Sequence, residues 1–249
     1  MLNSLFSLIR RLPLGFTLLY LLLPIGVQAQ NDFQFHKISE HCWLYTTWRD
    51  LGNTKFPANG MVVIHQHQAL IVDTPWDTTH FQTLLDSLSN YQATPIAIVS
   101  THFHDDRTAG LNYYRHKGIP TFSSVLTRQL CIEKGEPVAQ HTFKSDTTFV
   151  VGNVKVHTFF PGAGHAPDNE VIYVENDKVM FGGCLIKSYE ANNLGNLSDA
   201  DLSSWPGSLQ KLTDRFGEAK IIVPGHQGWQ QPTSIRHSLL LLRSRPAEK

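Results

Sequence analysis

One ten-residue segment gathers the side chains that are best suited to metal chemistry. Residues 101–110 read THFHDDRTAG and follow an apolar, β-branched run at 95–99 that predicts a buried strand. His102, His104 and Asp106 alternate, so in an extended or looping segment their side chains point the same way. Imidazole nitrogen suits zinc, and a carboxylate can bind the same ion or a neighbouring one. Taken alone, the motif is equally consistent with a solvated loop.

Three further potential ligands follow later strand-like segments. They are His165, Cys184 and His226, and a glycine comes directly before each of them. Glycine lets the backbone approach a buried centre closely and tolerates positive φ. Ligands of layered α/β proteins bind outside the carboxyl ends of the strands. The spacing therefore predicts that these side chains meet the residues of the first segment at one metal site.

Length and composition indicate an ordinary globular protein rather than a nucleic-acid-binding protein. A chain of 249 residues with 41% hydrophobic and 17% charged residues fits one sizeable domain. Basic and acidic residues are equal in number, 21 each, so no basic surface for nucleic acid is expected. No nucleic-acid partner is predicted.

The N-terminal 29 residues have the pattern of a secretion signal. Arg10 and Arg11 precede an apolar run at 12–27, and Val27 and Ala29 are small residues where a signal peptidase would read them. We expect cleavage, export to the periplasm, a mature domain at 30–249, and no stable membrane association afterwards. An uncleaved membrane anchor stays open as the alternative.

Export makes the cysteine count informative, because an oxidising compartment favours paired cysteines. The chain has three, so at least one is left over. Cys184 is a candidate metal thiolate. Cys42 and Cys131 lie in strand-like and helix-like runs and are expected to be small buried apolar residues, although a Cys42–Cys131 bridge stays open.

Hydrophobic periodicity predicts alternating strands and helices. Strands are expected near 35–38, 42–47, 61–65, 69–72, 95–99, 119–122, 147–151, 154–160, 170–174, 179–181 and 221–223, and helices near 78–90, from 110, at 123–134, 202–216 and 235–242. Residues 48–60 are rich in Gly, Asn and Pro and predict a loop. Its Trp48 and Phe56 either pack on the core or form a flap over a ligand.

Together these motifs resemble the first subclass of the class B metallo-beta-lactamases. The likeness consists of His-x-His-x-Asp-Arg, a later Gly-His, a Gly-Gly-Cys and a final Pro-Gly-His, and it runs from about residue 33 to the end. It implies an α/β fold, the αββα sandwich, in which two mixed β-sheets are flanked by helices. Neighbouring hydrolase families and the third subclass have a histidine where this chain has Arg107, and the second subclass has asparagine in place of His102.

The resemblance implies two zinc ions per chain. One would be bound by His102, His104 and His165, and the other by Asp106, Cys184 and His226. A zinc-bound hydroxide would open the beta-lactam ring of penicillins, cephalosporins and carbapenems, which confers antibiotic resistance. Three neutral imidazoles leave a tetrahedral ion one position for water, as catalytic zinc sites require.

The resemblance also implies roles for other residues. Lys187 would bind the substrate carboxylate, Asn196 would assist the oxyanion or orient substrate, and Asp106 would orient the nucleophile. Trp48 and Phe56 are expected to contact substrate from the flap. Without the resemblance, the sequence predicts that Lys187 is a solvated loop residue and that Asn196 is a turn residue. Arg107 and Asp73 are expected to hold the ligand loop by hydrogen bonds or simply to form a salt bridge.

Two other functions stay open on sequence alone. One is a hydrolase of the same fold that acts on a lactone, thioester or phosphodiester, against which Cys184 and Arg107 argue. The other is an exported zinc-binding protein without turnover. A monomer is expected, because no repeated apolar surface pattern is visible.

Overall fold

The structure of the protein is a computed structural model that describes residues 32–144 and 146–244. The predicted signal peptide at residues 1–29 lies outside the described residues. Within the described ranges, no helix combines the length and the apolarity that a membrane crossing requires.

The first half of the domain forms a seven-stranded mixed sheet. Its strands are β1 (Phe33–Lys37), β2 (Cys42–Asp50), β3 (Lys55–His65), β4 (Gln68–Val72), β5 (Thr94–Ser100), β6 (Thr121–Ser124) and β7 (His141–Phe143), in that order across the sheet. Strands β1 to β4 are antiparallel, and β4 to β7 are parallel. The parallel part has its carboxyl ends at one edge, where the loop after β5 begins.

The second half forms a five-stranded sheet. Its strands are β8 (Thr148–Val151), β9 (Val154–Phe159), β10 (Val171–Val174), β11 (Val179–Gly183) and β12 (Ile221–Pro224), and they lie in the order β12-β11-β10-β9-β8. Strand β12 runs parallel to β11, while the other pairs are antiparallel. The loops after β11 and β12 therefore leave the sheet at the same edge.

Six α-helices complete the described structure. They are α1 (Phe81–Asn90), preceded by one 3-10 turn, α2 (Asp105–Thr108), α3 (Leu111–His116), α4 (Val125–Lys134), α5 (Trp205–Phe216) and α6 (Ser234–Ser244). The spacing of Phe81, Leu84 and Leu88 gives α1 a single apolar face, and all three side chains are buried.

The two sheets pack face to face between helical layers. Leu44 and Val99 of the first sheet share one buried cluster with Val156 and Phe181 of the second. On the outer face of the first sheet, α1 and α3 close a second cluster, and α5 and α6 close a third on the outer face of the second sheet. The predicted αββα sandwich is confirmed.

Residues 48–60 are not the loop that their composition predicts. They extend β2 and β3 into a long hairpin, in which Trp48 pairs with Pro57 and Asp50 with Lys55. Only residues 51–54 form the turn, where Gly52 has a φ of 91°. Cross-strand pairing overrides the low strand propensity of Gly, Asn and Pro, because strand preference depends strongly on context.

All three cysteines are buried and unpaired, so no Cys42–Cys131 bridge forms. Cys42 packs in the cluster between the sheets, and Cys131 packs beside Phe103 and Ala166. Burial raises the pKa of the Cys131 thiol to about 12. Both residues therefore behave as the small apolar side chains that the sequence predicts.

Candidate metal centre

The loop after β5 is held in place by a buried hydrogen-bond chain. Asp73 lies at the end of β4 and accepts from the backbone N–H of Thr101 at 2.7 Å and from its hydroxyl at 3.0 Å. The Thr101 hydroxyl oxygen lies 3.2 Å from Nδ1 of His102. Since the hydroxyl donates to Asp73, it can accept from His102, which leaves Nε2 of that ring as the ligand atom.

Three histidines converge on one point. The Nε2 of His102 lies 3.2 Å from the Nδ1 of His104, which lies 3.1 Å from the Nε2 of His165. The three donor atoms lie within 4.8 Å of one another. Burial holds the pKa of His102 and of His165 well below the ordinary value, so both rings are neutral, as metal ligands must be.

The other three side chains form a second group beside the first. The Nε2 of His226 lies 3.2 Å from the Sγ of Cys184 and 3.2 Å from the Oδ2 of Asp106. The Nδ1 of His226 lies 2.7 Å from the carbonyl oxygen of Pro57 and can donate to it, which turns Nε2 towards the other donors. His102, Asp106 and Cys184 also meet within 4.8 Å.

Arg107 supplies a buried positive charge behind this second group. Its guanidinium donates to Asp106 at 2.6 Å, to Asp73 at 3.2 Å and to the Sγ of Cys184 at 3.2 Å. Although burial opposes ionisation, Arg107 holds the pKa of Asp106 well below its ordinary range. Burial raises the pKa of Asp73 to about 6, against the pull of Arg107. Asp106 is therefore an anion at neutral pH.

Glycine is required where two of the ligand loops touch. A Cβ on Gly225 would lie 2.7 Å from the backbone nitrogen of Cys184 and 2.8 Å from its Sγ. Gly183 adopts a φ of 51°, which a side chain would disfavour. The close approach that the sequence predicts from these glycines is present in the structure.

The donor set fits zinc. One group offers three imidazoles, and the other offers a carboxylate, a thiolate and an imidazole, which are the ligand types that zinc binds. Cys184 is buried and lies 3.6 Å from Asp106. A buried thiol and carboxylate packed against each other and against a histidine are more readily explained by a shared cation than by apolar packing.

A cavity of about 680 Å³ opens above these donors. Of the four residues predicted to bind substrate, Lys187, Asn196 and Phe56 line the cavity but Trp48 does not. Trp76 also lines it. Lys187 is buried, with its Nζ 5.3 Å from the ring centre of Trp205. The side-chain oxygen of Asn196 accepts a hydrogen bond from the backbone N–H of Ser198 at 3.0 Å, so Asn196 also stabilises its turn.

Other residues of the cavity are missed by sequence reasoning. The Nε2 of His104 lies 3.3 Å from the Oδ2 of Asp199, and Lys134 donates to the other oxygen of Asp199 at 2.9 Å. The ring centre of Trp76 lies 6.2 Å from that of His226, and Glu136 lies at the cavity wall. They lie in turns or at helix ends, where no periodic pattern marks them, and only the folded chain brings them to the site.

Comparison with known proteins gives one consistent result. A profile of the Metallo-beta-lactamase superfamily matches residues 53–226. The chain is 32% identical to a metallo-beta-lactamase type 2 of Bacteroides fragilis over 231 residues, which cover 90% of this chain and 93% of that protein. It is 30% identical to a metallo-beta-lactamase type 2 of Elizabethkingia meningoseptica, with 89% and 92% covered. The solved metallo-beta-lactamase of Pontibacter korlensis superposes with a TM-score of 0.83 at 36% identity, covering 86% of this chain and all of that one.

Proposed function

Because this chain belongs to the metallo-beta-lactamase superfamily, we propose that it is a zinc-dependent beta-lactamase that hydrolyses penicillins, cephalosporins and carbapenems. The resemblance to the first subclass of class B enzymes is confirmed by its relatives. The observation that carries the proposal is the convergence of six donor side chains beneath a cavity that is also lined by a buried lysine.

Two sets of residues would hold zinc. His102, His104 and His165 would bind one ion, and Asp106, Cys184 and His226 would bind a second. Zinc supplies Lewis acidity, which lowers the pKa of a bound water molecule towards neutrality and polarises a carbonyl oxygen. The softer second set, with its thiolate and carboxylate, offsets more of an ion's charge than the three imidazoles do.

The remaining side chains would bind and orient the substrate. Lys187 would pair with the carboxylate that these beta-lactams share, and its burial strengthens that attraction. Asp106, kept ionised by Arg107, would accept a hydrogen bond from the attacking water. Asn196 would donate its amide N–H to the carbonyl oxygen as negative charge develops there. Phe56 and Trp76 would form an apolar wall that excludes bulk water.

The protein is also proposed to work in the periplasm as a monomer. The N-terminal pattern at residues 1–29 supports export, and the balanced composition offers no basic surface for nucleic acid. Relatives that align over about nine-tenths of the chain are bacterial metallo-beta-lactamases, whose small-molecule substrates would meet the enzyme in that compartment.

An assay on the purified mature chain tests the proposal. Residues 30–249 are expected to hydrolyse a chromogenic cephalosporin and a carbapenem, to lose activity with a chelator, and to regain it with added zinc. The absence of turnover of a penicillin, a cephalosporin and a carbapenem by zinc-loaded protein would refute the beta-lactamase function.

Lys187→Glu tests substrate binding separately. Since repulsion would replace attraction, KM for carboxylate-bearing beta-lactams is expected to rise by about tenfold or more, with zinc content unchanged. Lys220→Glu is a matched control, because Lys220 is exposed and does not line the cavity. An unchanged KM in the Lys187 variant would remove this residue from substrate binding.

A further inference from the structure

Three carboxylates of the cavity wall are paired with cations, and a fourth, Glu136, is not. Asp105 pairs with Arg49 at 2.6 Å, and Asp106 pairs with Arg107 at 2.6 Å. Asp199 pairs with Lys134 at 2.9 Å. Glu136 lines the same cavity, and among the described residues its carboxylate makes no hydrogen bond or ion pair.

The position of Glu136 explains why it lacks a partner. It follows Gly135, which ends α4 with a φ of 77°, so the chain turns there and carries Glu136 to the cavity instead of to the helix surface. Lys134, two residues earlier, is engaged by Asp199. Burial and then repulsion from Asp105 raise the pKa of Glu136 above its ordinary value, and His104 offsets them only in part.

The cavity wall carries two opposite charges that act on different histidines of the site. Lys187 acts on the His165 side, beside Trp205, while Glu136 is influenced by Asp105 and His104. In a bicyclic beta-lactam, the ring carboxylate is attached on the nitrogen side of the scissile amide, and the side chain is attached on the carbonyl side. A molecule whose carboxylate meets Lys187 beside His165 would extend its side chain past His104, where Glu136 lines the cavity.

We propose that Glu136 is a specificity-determining residue that favours beta-lactams with a positively charged acylamino side chain and disfavours those with a negatively charged one. This inference rests on the proposed beta-lactamase function. It needs no change in the chemical step, because the charge acts on the part of the substrate that does not react. The charge of Glu136 is therefore expected to change KM and kcat/KM.

Three penicillins that differ at one position test the inference. Benzylpenicillin has a hydrogen on the side-chain α-carbon, ampicillin has an amine that is protonated at mildly acidic pH, and carbenicillin has a carboxylate. The wild-type enzyme is expected to give kcat/KM in the order ampicillin, benzylpenicillin, carbenicillin. In Glu136→Gln the ratio of ampicillin to carbenicillin is expected to fall about fivefold, as for a partly exposed charge pair.

Controls separate this effect from a general loss of activity. Glu133→Gln removes a charge from α4, three residues before Glu136. Glu133 is exposed and accepts a hydrogen bond from Gln129 outside the cavity, so the ampicillin-to-carbenicillin ratio of this variant should equal that of the wild type. Benzylpenicillin turnover and zinc content should stay within twofold in both variants. Added salt should reduce the wild-type ratio, since it screens exposed charges.

The outcomes are distinct. An unchanged ratio in Glu136→Gln, or a wild-type ratio that does not respond to salt, overturns the role of Glu136 even if all three penicillins are hydrolysed. If the wild-type enzyme hydrolyses none of them, the proposed function itself fails. If Glu136→Gln does not fold, Glu136→Ala, which also removes the charge, and the salt dependence of the wild type decide the question.

Discussion

Replacement of Arg107 by leucine should destabilise the metal-free protein more than any surface change. The guanidinium is fully buried and donates to two carboxylates, one sulfur atom and two backbone carbonyls, those of Asn59 and Gly225. Removal of one partner from a buried ion pair costs about 3–5 kcal/mol, because the other charge is left uncompensated. The same range is expected for the loss of all contacts of Arg107, since Asp73 can relieve part of the cost by taking up a proton.

The loss can be measured by urea unfolding of residues 30–249 in the presence of a chelator, followed by tryptophan fluorescence. With a slope of about 2 kcal/mol per molar, the midpoint should fall by about 2 M. Lys55→Met is the matched control, since Lys55 forms an exposed ion pair with Asp32 at 2.7 Å and should cost less than about 1 kcal/mol.

A second variant tests the cause. Combining Arg107→Leu with Asp73→Asn removes the buried carboxylate as well as its cation, so part of the lost free energy of unfolding should return. If Arg107→Leu costs no more than the Lys55 control, or if the double variant is no more stable than Arg107→Leu, the electrostatic account of this cluster is refuted.

Three further predictions concern single positions. Cys184→Ser should leave one zinc ion tightly bound and weaken the second, as measured by metal analysis after dialysis; two equally retained ions would contradict the assigned ligand. Gly225→Ala should weaken metal binding by about tenfold or more, because its Cβ would press on the Cys184 backbone, whereas Gly207→Ala, with open space around it, should not; equal zinc affinity of the two variants would argue against the contact. Burial raises the pKa of Glu170 to about 8, so the folded state holds a proton there that the unfolded state releases near 4.5. The free energy of unfolding of the wild type should therefore fall relative to that of Glu170→Gln as the pH of chelated samples rises from about 5 to about 8. If the two free energies change with pH by the same amount, that pKa shift is disproved.

The ligand side chains could be predicted because their signal is local. Each of His165, Cys184 and His226 follows a glycine at the end of a strand-like run, and the topology of two sheets with shared edges brings such ends together. The same reasoning fails for Trp76 and Glu136, since nothing beside them in the sequence marks an approach to the cavity. Their positions depend on how the segments after β4 and α4 pack.

The β2–β3 hairpin shows the opposite kind of error. Its Gly52, Asn53 and Pro57 are poor strand residues, and the pattern predicts a loop. In the folded chain, the strands continue to Asp50 and from Lys55, because each pairs with the other along its whole length. The same pattern predicts that Trp48 packs on the core or contacts substrate from a flap, and in the structure Trp48 does not line the cavity.

Each set of ligands draws on both halves of the sandwich. His102, His104 and Asp106 follow β5 of the first sheet, while His165, Cys184 and His226 leave strands of the second. An ion held by either set would act as a cross-link between the halves, in a chain whose three cysteines form no disulfide. Zinc supply would then govern how long the folded enzyme persists as well as how fast it works, and removal of the metal would expose it to proteolysis.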